Sequence, residues 1–112
     1  MKIVGVKMLN RTGGSDDFVE FDLENDVTYI DLWQPTEHSS KVPAYHTERG
    51  SFLALSTMKD ISRAYLPFKF ESFDKSTVVN KRKVMKLEDD KDGTKVVFVD
   101  GSSVFVRKKF NK

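Results

Sequence analysis

The chain has no cysteine, which excludes a disulfide framework, a thiolate metal site and a cysteine nucleophile, and fits a protein of the reducing cytoplasm. No run of about 18 apolar residues occurs, so no membrane-spanning helix is expected. The opening Met1-Lys2-Ile3-Val4-Gly5-Val6-Lys7 lacks the apolar core of a secretory signal. His38 and His46 are the only histidines, and no carboxylate around them stands at a metal-ligand spacing. A nucleophile elbow, a phosphate-binding glycine loop and a dinucleotide fingerprint are all missing. Neither an enzyme nor a bound cofactor or metal is therefore expected. Proline-rich linkers, low-complexity tracts and internal repeats are missing too, so residues 1–112 read as a single domain.

What is present suits one folded unit. A chain of 112 residues falls in the usual range for one domain and buries roughly two-thirds of its unfolded surface. Its 38% hydrophobic and 12% aromatic content is too rich in core formers for a disordered chain. The net charge of +2 conceals an asymmetry. Residues 1–74 hold 8 basic and 12 acidic side chains, a balance of −4, whereas residues 75–112 hold 11 and 5, a balance of +6. A polyanionic partner for the basic third is one reading. A lysine-rich edge that resists strand-to-strand aggregation is the other.

The dominant hydrophobic period is two. Lys2–Leu9, Phe18–Leu23 and Val27–Trp33 alternate as half-buried strands, with the turn Glu24-Asn25-Asp26 before the third. Residues 34–41 have neither period and form an exposed loop. Val42–Thr47 and Ser51–Leu55 flank Glu48-Arg49-Gly50, a hairpin whose glycine supplies a positive φ. The period changes at Met58, Ile61 and Tyr65, which predicts one short helix over about 57–65, opened by a Thr57–Asp60 capping pair and ended by Pro67. An apolar stretch, Phe68 to Phe73, leads to the polar corner Asp74-Lys75-Ser76, followed by Thr77-Val78-Val79. Val84–Glu88, Thr94–Val99 and Ser103–Arg107 complete the strands, joined by turns containing Asp92-Gly93 and Asp100-Gly101. The fold class is mainly β and mostly antiparallel. His46, on a strand, reads as structural, and Asn80 as a turn or cap former.

Phe73-Asp74-Lys75-Ser76-Thr77-Val78-Val79-Asn80, a following strand, two Asp-Gly turns and the ending Val104-Phe105-Val106-Arg107-Lys108-Lys109-Phe110 together resemble the LytTR family, a bacterial DNA-binding domain usually joined to response regulators. Phe73, Ser76, Val79 and Asn80 match its first motif, Arg107 matches the arginine of its second, and Asp26–Asp31 is similar to an early strand. Asp74 stands where the family commonly has histidine, Val106 replaces the usual serine, and the loop 34–41 is longer than is typical.

The resemblance implies an elongated antiparallel multi-sheet β fold whose loops enter successive grooves of double-stranded DNA, on tandem direct repeats. It places Lys75 and Ser76 on a middle recognition loop and Arg107 on the last. His38, Ser39, Ser40 and Lys41 are candidates on the first. Arg107 can present two parallel donors to guanine, whereas Lys108 and Lys109 suit phosphate. Lys81-Arg82-Lys83 is equally a phosphate contact or a solvated surface. The expected protein is a transcriptional regulator without a receiver domain, either stand-alone, which an initiator-like Met1 favours, or a fragment. In the absence of any heptad seam it is expected to be a monomer in solution that pairs on DNA. The alternative is a protein-interaction module or antagonist that keeps the fold without binding DNA.

Overall fold

A computed structural model describes residues 1–54 and 58–109, with side chains for all of these but residues 58 and 59. Among the described residues the alternating segments form ten strands: β1 (Lys2–Lys7), β2 (Phe18–Asp22), β3 (Val27–Trp33), β4 (Val42–Thr47), β5 (Gly50–Leu53), β6 (Phe70–Asp74), β7 (Thr77–Asn80), β8 (Val84–Asp89), β9 (Thr94–Phe98) and β10 (Ser103–Val106). Seven make one sheet in the order β2-β1-β5-β4-β3-β7-β6, and three make a second, β10-β9-β8. Every pairing is antiparallel. The molecule is elongated, 49 × 32 × 26 Å.

Strand alternation puts a different core on each face of the large sheet. Ile30, Tyr45 and Val78 lie in one cross-strand row and point to a core with Phe21, Phe52 and Phe70. Tyr29 and Val79 are the next row and point the other way, where Phe73, Val96, Phe98 and Val106 form a second core beneath the small sheet. Tyr29 stacks on Phe98 at 5.4 Å across that junction. Val27 and Ile30 are three apart yet share the first core, because the β3–β4 register shifts between Val27 and Tyr29. Thr28 in that shift donates its hydroxyl to the His46 carbonyl at 3.1 Å.

The predicted helix is present as α2 (Met58–Ala64), with Ile61 buried in the first core. Thr57, half of the expected capping pair, lies outside the described residues. The turn after β2 is a full helical turn, α1 (Leu23–Asp26), rather than an open turn. Its cause is reciprocal capping: Asp22 accepts from the Asn25 N–H at 2.9 Å, and Asp26 accepts from the Asp22 N–H at 2.7 Å. Phe68 belongs to a 3₁₀ turn (Leu66–Phe68) that Lys69 ends at φ 72°, so β6 starts two residues later than the apolar pattern suggests. Gly50 has the expected positive φ, at 131°. Gly93 does not use that freedom. A Cβ there would lie 2.1 Å from the Val106 carbonyl and 2.9 Å from the Phe105 ring, so the residue must be small for close approach.

Asn80 is fully buried where β7 ends. Its amide donates to the carbonyls of Val27 (2.8 Å) and Glu24 (3.1 Å), and its oxygen accepts from the Arg82 N–H (3.1 Å). It thus ties the large sheet to the 3₁₀ turn Lys81–Lys83 that leads into the small one. This is the turn and capping role expected of it. His46 is likewise structural: its ring lies 2.7 Å from both Asp31 and Ser51 and stacks on Tyr29.

Candidate functional site

The β6–β7 hairpin turns at Lys75 and Ser76, and β3 lies beside β7 with Asp31 opposite Thr77. β3 therefore leaves the sheet, at Trp33, at the same end as this turn. Loop 34–41 and the middle loop emerge side by side. In the small sheet Thr94 pairs with both Asp89 and Val106, so the end of β10 and the β8–β9 loop reach this end as well.

Asp74 joins the pieces. One carboxylate oxygen accepts from the Ser76 N–H at 2.9 Å and the other from the Arg107 N–H at 3.1 Å, 33 residues along the chain. The acid that stands in place of histidine thus fastens the middle loop to the end of β10. Val106, in place of serine, is fully buried in the second core and sets the direction in which β10 ends. Thr94 fixes the next step, its hydroxyl lying between the Asp89 carboxylate and the Lys108 carbonyl, the latter at 2.6 Å. The result is a concavity of about 600 Å³ lined by Asp74, Lys75, Ser76, Thr77, Phe105 and Arg107.

The nine residues singled out from sequence separate into groups. Lys75, Ser76 and Arg107 meet at the concavity, exposed. Lys109 follows on the surface, and among the described residues Lys75, Arg107 and Lys109 make no ion pair. Lys108 is engaged within the chain: its ammonium lies 3.4 Å from Glu71 and 5.6 Å from the centre of the Phe73 ring. Glu71 also binds Lys81 at 3.2 Å. The Lys81 hydrogen bond, with Lys108 adding to it, holds the Glu71 carboxyl below its ordinary range against a weaker opposing desolvation. Two of the eleven cations of the basic third thus share one carboxylate, and Lys81–Lys83 lie at the far end of β7 from the concavity.

In the first loop His38, Ser40 and Lys41 are exposed. Ser39 instead closes the loop on itself, its hydroxyl bonding both the N–H and the carbonyl of Thr36 at 3.0 Å, while Gln34 donates to the Ser39 carbonyl at 2.8 Å. Sequence reasoning missed Phe105. The signal was available, because once Val106 faces the core, alternation puts Phe105 and Arg107 together on the opposite side. Asp74, which the sequence marks only as a departure from the family's histidine, is a clamp in the structure. The same end carries Asp90 and Asp92 beside Lys91 in the β8–β9 loop, so the cationic surface is bounded on that side.

The family model described as the LytTr DNA-binding domain matches residues 23–112. No curated protein matches the chain. The matched span contains both candidate loops, the concavity and the whole small sheet, and leaves β1 and β2 outside it.

Proposed function

Because the chain belongs to the LytTR DNA-binding domain family, we propose that it is a sequence-specific transcriptional regulator reading double-stranded DNA through loop 34–41, the Lys75–Ser76 turn and the segment from Arg107 to Lys109. The observation that carries the reading is the Asp74 clamp, which gathers Lys75, Ser76 and Arg107 around one concavity. Arg107 reads guanine with its planar fork, and Lys41, Lys75 and Lys109 hold phosphate and set register. In the first loop His38, Ser40 and Lys41 present side chains to the duplex, while Ser39 keeps the loop in shape. Residues 1–112 act as one unit, since β1 and β2 extend the same sheet that carries the loops. The protein is a monomer in solution that occupies tandem direct repeats, head to tail.

Selection from a random duplex pool, followed by fluorescence anisotropy across salt concentrations, tests this. Recovery of a repeated consensus is expected, with log K falling against log salt at a slope of roughly −3 if Lys41, Lys75 and Lys109 each neutralise one phosphate. A stable dimer at low micromolar concentration in light scattering contradicts the monomer. A second reading, an interaction module or antagonist, is favoured by one feature: Val4 and Phe18 on β1 and β2 are each 62% exposed, outside the matched span. Failure to bind any duplex at low salt would favour it.

A further inference from the structure

Phe105 is an aromatic side chain in a place where burial does not call for one. It is 48% exposed although its neighbour Val106 is fully buried, and it lines the concavity with Lys75 and Arg107. The ring is not loose. Its Cζ and Cε2 atoms fill the space a Gly93 Cβ would take, 2.9 and 3.0 Å from that position, so the backbone at Gly93 supports one side and leaves the other open to the concavity. An exposed phenyl group between cations offers no donor or acceptor to phosphate, sugar or the polar base edges. In the major groove its complement is the 5-methyl group of thymine, the one apolar feature of that surface.

Resting on the base-reading function above, we infer that Phe105 is a specificity-determining residue that packs on a thymine 5-methyl group close to the guanine read by Arg107. Phe105, on β10, and Arg107, just past its end, line the same concavity, and two residues of extended chain span at most about 7 Å, which is about two base-pair steps at 3.4 Å. The thymine is therefore within two base pairs of that guanine.

The test uses the duplex recovered by selection, remade with uracil for each thymine in turn, which removes only the methyl group, and with 7-deazaguanine for each guanine, which removes the N7 acceptor. One thymine within two base pairs of a sensitive guanine is expected to weaken wild-type binding about three- to fivefold when replaced by uracil, the value of one buried methyl group. Phe105→Ala should bind thymine and uracil duplexes alike, and Phe105→Leu should keep part of the discrimination. If every uracil duplex binds the wild-type protein as well as the parent while 7-deazaguanine is felt, the role of Phe105 is overturned and guanine reading stands. If Phe105→Ala discriminates as strongly as wild type, its role is overturned as well. If no sequence is preferred, both proposals fall. The uracil series needs no variant and can overturn the proposal by itself, and if Phe105→Ala does not fold, reduced discrimination by Phe105→Leu assigns the contact while undiminished discrimination overturns it.

Discussion

Replacing Asp74 by asparagine sets two electrostatic effects against each other, and the structure decides which one wins. The carboxylate bonds the Ser76 N–H at 2.9 Å and the Arg107 N–H at 3.1 Å. Asparagine keeps one oxygen and turns an NH₂ donor toward the other N–H, so one charge-assisted bond is lost. Such bonds contribute about 1.5–3 kcal/mol. Both here are open to water, which replaces part of the loss and leaves about 1–1.5 kcal/mol, or a Tm lower by roughly 4–10 °C. Against this, a carboxylate about 6 Å from a phosphate is repelled by about 0.7 kcal/mol in water and by roughly half that at physiological salt. Relief of repulsion is the smaller effect. Asp74→Asn is therefore expected to bind its selected duplex severalfold more weakly, because Arg107 is no longer held against the middle loop, while random duplex is bound as well as before or slightly better. Anisotropy on both duplexes at 150 mM salt (on the order of the physiological value) and a thermal melt followed by circular dichroism measure this. Tighter binding to the selected duplex with an unchanged Tm would refute the clamp and make repulsion the larger effect.

Arg107→Lys keeps the charge and loses the planar fork, so it should cost roughly 1–3 kcal/mol on the selected duplex and little on random DNA; equal losses on both would make Arg107 a phosphate contact. Lys109→Ala should weaken both duplexes alike and flatten the salt slope by about 0.9, one phosphate's worth. Lys108→Ala should change stability more than that slope, since its ammonium already faces Glu71 and the Phe73 ring, and an undiminished Tm with a flattened slope would reverse the assignment. Gly93→Ala must displace the Val106 carbonyl and the Phe105 ring; a loss of at least about 1–3 kcal/mol in denaturant melts is expected from such overpacking. Glu71 has a folded pKa below its ordinary value of 4.5, so its contribution is fully present above that value and is lost as pH falls through the lowered one. The wild-type Tm should fall faster than that of Glu71→Gln below about pH 4.5, and parallel curves would mean that the bridge to Lys81 and Lys108 adds no stability.

The local pattern of the chain was enough to find its strands, α2 and the Gly50 turn, because period-two alternation, a switch to helical spacing and a residue needing positive φ are properties of neighbouring residues. The motifs likewise pointed to the DNA-binding family, and Asn80 and His46 to structural work, because asparagine is a turn and cap former and a histidine within a strand is held by its neighbours. What alternation could not say was which face each strand turns to which core. That depended on the register shift at Thr28 and on the small sheet covering Tyr29 and Val79, both consequences of pairings distant in sequence. The same holds at the site. Asp74 is a negative charge in the sequence and a clamp only once β10 brings the Arg107 N–H within 3.1 Å; Lys108 is a cation in the sequence and half of an internal ion pair only once Glu71 on β6 lies beside it. Residue chemistry is local, but whether a charge is free to meet a partner is set by which other groups the fold has already placed against it.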